Sequence, residues 1–246
     1  MTLIRANQAK TAFVLLCGAA LIVLGVGAVS VLRSPAPVFY PDLQAISVVM
    51  EQGRRLNVQT REVTVAQWQA CHDAGHCQLK LSAGGKVSDY PATGISYEDA
   101  MQYVGWINTL SDREWRLPSA AEWRELALEV MPEKPDPIFT DPSLTWASTY
   151  LTAANQTGRA LRPSGAFSAT SAGIEDLDGN VWEWTQDCYA GSSGQGAMID
   201  TSQCPAFIMG GEHEAIMSYL VRDPARGGCA VGAPPAHLGM RLVSDT

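Results

Sequence analysis

Positive charge is scarce in this chain. Its 246 residues carry 17 lysines and arginines against 25 acids, a net charge of −8. Three of those bases, Arg5, Lys10 and Arg33, lie in the first 33 residues, which hold no acid. The remainder therefore sets 14 bases against all 25 acids. Nucleic acid, whose affinity rests on phosphate neutralisation, is not a partner expected of such a body, and neither is an anionic lipid surface. Internal repeats and a second domain are also lacking, so the length fits a membrane segment plus one domain of about 200 residues.

Charge is wholly absent from Thr11 to Leu32, "TAFVLLCGAALIVLGVGAVSVL". At 1.5 Å per residue such a run reaches about 33 Å as a helix, the thickness of a bilayer's hydrocarbon. It is longer than the apolar core of a cleaved signal, which predicts an uncleaved anchor, with cleavage after "GAVS" as the alternative. The bases before it place residues 1–10 in the cytoplasm and the C-terminal domain in the periplasm, as a single-pass inner-membrane protein. Residues 33–44, with "SPAP", read as a Pro-rich linker.

Cysteines outside the run are few: Cys71, Cys77, Cys188, Cys204 and Cys229. In an oxidising compartment they are expected to pair. Sequential pairing, Cys71 with Cys77 and Cys188 with Cys204, closes two short loops and leaves Cys229 over, although spacing alone does not fix connectivity. His72 and His76 in "CHDAGHC" have the i, i+4 spacing of a helical metal pair, but disulfide formation by the flanking cysteines is the expected use of this loop.

Regular patterning is confined to the first half of the domain, residues 45–246. "AISVVM" and "RLNVQTREVT" predict strands. Thr64, Ser96 and Ser119 predict three helix starts, with Asp99 and Glu122 at the capping-box positions of the second and third. Trp106, Trp115 and Trp123 are expected in the core. After Val130 the periodicity fades into Pro, Gly, Ser, Asn and Asp, and long loops of that kind often form a site.

Two stretches there carry chemistry. "GIEDLDGNVWEWTQDC" offers Asp176, Asp178, Asn180 and Glu183 around Gly179, oxygen ligands of the type that hard cations such as calcium take, but not at EF-hand spacing. "GGEHEA" places His213 between Glu212 and Glu214. In a strand the two glutamates share one face and the histidine faces away, which disfavours a three-ligand site. One inward carboxylate near Trp182 would have a raised pKa and suit a general acid.

The ordered phrases "REVTVAQWQAC", "PATGISYEDAMQYVGWINTL", "WRLPSAAEWRELA", "EDLDGNVWEWTQDC", "IMGGEHEA" and "HLGMRLV" resemble the sulfatase-modifying-factor, or formylglycine-generating-enzyme-like, family. The resemblance covers roughly residues 45–243. It implies one compact α+β domain related to C-type lectins, with little regular secondary structure. It also implies a structural calcium held by Asp176, Gly179, Val181 and Glu183. The family's second calcium site has no obvious acidic ligand here. Arg116 and Arg241 fall at shared positions and read as buried ion-pair or backbone-binding arginines.

Formylglycine-generating members hold copper(I) between two cysteines, the thiolate ligands that this soft ion prefers. On their pattern those positions are Ala215 and Leu220 here, so copper is not expected. Glu212, His213 and Trp182 are the candidate catalytic residues if chemistry remains. The resemblance favours a membrane-tethered accessory or maturation factor for another exported protein, such as a metalloenzyme. The alternatives are an enzyme of altered chemistry, whether a non-copper oxidoreductase, a carboxylate catalyst or a formylglycine-generating oxidase with a rebuilt site, and a lectin-like binding module.

Overall fold

The computed structural model describes residues 42–81, 88–133, 136–155, 160–189, 204–212, 215–224, 228–230 and 236–246. The expected membrane segment 11–32 lies outside them. No helix among the described residues is long and apolar enough to cross a membrane.

Two antiparallel strands open the domain, β1 (Ala45–Val49) and β2 (Arg55–Gln59). The C-terminal strand β8 (Val243–Asp245) joins them in a three-stranded sheet of order β1-β2-β8. The second sheet runs β6-β5-β4-β3-β7, built from β3 (Trp182–Cys188), β4 (Ala206–Gly210), β5 (Ala215–Ser218), β6 (Gly228–Ala230) and β7 (Leu238–Gly239). Only the β3–β7 pair in it is parallel. The segment between β7 and β8 thus passes from one sheet to the other, and Arg241 lies on it.

Helices α1 (Val65–Asp73), α2 (Tyr97–Leu110) and α3 (Ala120–Ala127) begin where their caps predict. Thr64, Ser96 and Ser119 each accept a backbone N–H three residues on, and Gln67, Asp99 and Glu122 return the bond, so two orphan donors per helix are satisfied. A fourth helix, α4 (Thr145–Asn155), was not anticipated. The prolines and aspartates before it read as loop, and Asp141 caps a short 3-10 turn that leads into it.

The larger core cluster packs Trp68, Tyr103, Trp106, Trp115 and Trp184 with residues of β4, β5 and β7. A second packs Trp123 with Leu56, Val58, Ile174, Leu177 and Val243. Trp106, Trp115 and Trp123 are all buried, as expected. Two disulfides, Cys71–Cys77 and Cys188–Cys204, confirm the sequential pairing.

Candidate functional site

The turn before β3 is pinned from several sides. Asp176 and Asn180 both adopt positive φ, 66° and 65°, a conformation that Asp and Asn tolerate better than most side chains. The Asp176 carboxylate is buried and accepts the backbone N–H groups of Gly165 and Phe167, the latter at 2.8 Å. Asp178 accepts the Ser168 amide at 3.1 Å, and Asn180 the Arg162 amide at 3.0 Å. Gly179 is needed for close approach, since a Cβ there would meet the Phe167 ring at 2.4 Å.

Glu183, one residue into β3, is 1% exposed and shares its carboxylate with Arg241, which is fully buried. Arg241 Nε donates to both Glu183 oxygens at 2.9 Å, and Nη2 donates to Oε1 at 2.8 Å. Trp123 Nε1 donates to Oε2 at 2.8 Å. The remaining arginine N–H groups go to the carbonyls of Gln59 (3.1 Å), Thr60 (3.2 Å) and Glu175 (2.8 Å). One guanidinium therefore ties the end of β2, the turn before β3, and β3 itself. Arg241 is the buried, backbone-binding ion-pair arginine that its sequence position implied.

Arg116 serves a neighbouring junction. Its Nη1 and Nη2 donate to the two Glu122 oxygens, each at 2.8 Å, and Nη2 also reaches Asp245 at 3.1 Å. Burial alone would raise the Glu122 pKa. The Arg116 fork, the Ser119 amide and Arg54 outweigh it and hold the carboxyl at about 2.

The expected calcium ligands can be tested against this geometry. Asp176, Gly179 and Val181 lie in one tight turn, where both oxygens of the buried Asp176 carboxylate already accept backbone N–H groups, of Gly165 and Phe167. The Glu183 carboxylate is likewise filled, by four donor contacts. Among the described residues no three His, Cys, Asp or Glu side chains gather into a ready metal shell.

The "GGEHEA" stretch follows β4. A Cβ on Gly210 would meet the Trp123 ring at 2.3 Å, and one on Gly211 the Trp182 ring at 2.3 Å, so the glycine pair is what lets two indoles close over this strand end. Trp182 is half-buried and Glu212 is exposed. His213 and Glu214 lie outside the described residues. Ala215 is fully buried in β5, opposite Met209 and Ala230, whereas Leu220 is 56% exposed beyond that strand. Arg222 then anchors the segment to the start of α2, donating to Asp99 at 2.7 and 2.8 Å. The backbone of Cys229 pairs with Ile216 in β6.

Sequence reasoning missed Glu62. It is 1% exposed, and neither carboxylate oxygen has a hydrogen-bond partner among the described residues. Burial pushes its pKa well above the carboxylate range, with Arg241 opposing and Glu183 and Asp176 adding to the rise. Its flanks, Val58 and Val63, read as strand and core, and nothing local marks the acid between them as buried.

The chain belongs to the sulfatase-modifying factor enzyme 1-like domain family, which matches residues 47–246. It is similar to the formylglycine-generating enzyme of Mycobacterium tuberculosis, 26% identical over 190 residues, covering 63% of this chain and 58% of that protein. The formylglycine-generating enzyme of Bos taurus is 26% identical over 172 residues, covering 64% of this chain and 44% of that one. The chain thus spans about half the length of the curated relatives it matches. Among solved structures, PvdO from Pseudomonas aeruginosa superposes with a TM-score of 0.52 at 18% identity, covering 82% of this chain and 92% of that one, a likeness of fold.

Proposed function

We propose that this chain is an accessory or maturation factor for another exported protein, tethered to the inner membrane by residues 11–32 and working in the periplasm without copper-dependent cysteine oxidation. The observation that carries this reading is the pair of positions where the family's copper thiols fall. One is an alanine buried in β5 and the other an exposed leucine, neither of which can ligate copper(I). The surrounding scaffold is intact, which supports a use that depends on its shape and not on that metal.

A comparison of exported proteins in cells with and without the chain tests the role. The expected result is one client that reaches the periplasm in normal amount but with altered mass or lost activity. Both the wild-type chain and its Cys229→Ser variant should restore it. If every exported protein keeps its mass and activity without the chain, the accessory role is wrong.

A further inference from the structure

Helix α4 buries the wrong side chains for a helix that faces only water. Its Ser148 is 3% exposed, and the hydroxyl accepts the Phe139 amide at 2.9 Å. Trp146 and Tyr150 stand two positions before and after that serine. At about 100° per residue both fall on the opposite side of the helix, where they are 61% and 49% exposed. Leu144 and Leu151, also exposed, lie beside them in sequence. From Pro142 to Asn155 no side chain is charged. A lone exposed residue such as Leu128 is ordinary, but a serine inside with a tryptophan and a tyrosine outside reverses the usual amphipathic order and marks a contact surface.

We propose that the Trp146–Tyr150 face of α4 lies in the interface of the bilayer that holds residues 11–32, with a zwitterionic lipid surface as its partner. This rests on the tether in the proposed function and adds to it the face that meets lipid. Residues 33–41 are all the chain between the uncharged run and the described domain. Fully extended they span about 30 Å, less than the width of a compact body of about 200 residues, about 40 Å. A tether this short keeps the domain beside the bilayer at high effective concentration, where a weak apolar contact becomes populated. Tryptophan and tyrosine favour the boundary between water and lipid, with the ring among the headgroups and the polar tip wet. The lipid is zwitterionic because the helix offers no base to an anionic headgroup and the chain around it is acidic. Attachment by burial alone adds a second membrane signal that salt does not screen.

The experiment reconstitutes the full-length chain into phosphatidylcholine vesicles whose acyl chains carry bromine, a contact quencher of indole fluorescence, and floats them on a density gradient. The run 11–32 contains no tryptophan, so the signal belongs to the domain. Wild type should float and lose fluorescence relative to unbrominated vesicles, equally at low and high salt. Trp146→Phe, a change at an exposed site that should leave the melting temperature unaltered, should float but show less than half of that loss. If wild type floats unquenched, or Trp146→Phe is quenched like wild type, the tether stands and docking by α4 is overturned. If wild type floats unquenched and Trp146→Ala no longer restores the client, the face belongs to a protein partner and the lipid reading is overturned. If the chain does not float, the tether fails and docking fails with it.

Discussion

Replacement of Arg241 by methionine should cost about 3–5 kcal/mol, the loss typical when one partner is removed from a buried ion pair. The variant keeps an unbranched chain in place of the arginine stem but strands Glu183 at 1% exposure with only the Trp123 indole as donor. Three backbone carbonyls, of Gln59, Thr60 and Glu175, lose their donor at the same time. For a domain of this size each kcal/mol shifts the melting point by about 2–4 °C, so a fall of about 6–20 °C is expected. Urea unfolding of wild type, Arg241→Met, Glu183→Gln and the double variant measures it. The double variant should be less destabilised than the sum of the singles, because no charge is then left unpaired. A single-variant loss below about 1 kcal/mol would show that the Arg241 hub does not hold the two sheets together, against the scale expected for such a pair.

Removal of the Cys188–Cys204 bridge by double serine substitution is expected to cost about 3 kcal/mol, the loop-closure value for a closure of this length. The cysteines are 16 residues apart, and their Cα atoms lie 5.8 Å from each other at the ends of the adjacent strands β3 and β4. The Cys71–Cys77 bridge has a separation of 6, so its removal should cost less by the same argument. Thermal melts of the two double-serine variants, with and without reductant, give the comparison. Reductant should lower the melting point of each variant only by the contribution of the bridge it retains. Equal loss from the two bridges, or a larger loss from the shorter one, would count against loop entropy as the main term.

Local chemistry made much of the fold legible. A capping box needs only residues three apart, so Ser96 with Asp99 and Ser119 with Glu122 were readable and stand as helix starts. Core tryptophans were readable because they lie on apolar faces. The site was less legible, because its bonds are long-range. Arg241 meets residues 58 and 182 positions away, a pairing that no window of sequence contains. Glu183 read as a calcium ligand because its neighbours carry oxygens, and only the fold reveals that Arg241 and Trp123 fill its carboxylate. Glu62 was overlooked for the converse reason. An acid between Arg61 and Val63 looks like a surface charge, yet the fold leaves it 1% exposed. Helix α4 escaped because its aromatic residues, Trp146 and Tyr150, are exposed and do not mark a face turned to the core.

On the proposed function, the family scaffold works here without copper chemistry. The most direct test supplies the full-length chain with copper(I), calcium, oxygen and a sulfatase-type cysteine peptide, and follows the peptide by mass spectrometry. With alanine at 215 and leucine at 220, the peptide cysteine should remain a thiol or disulfide while the chain stays folded. Conversion of that cysteine to an aldehyde, abolished by Cys229→Ser, would contradict the account and show a copper centre rebuilt around Cys229.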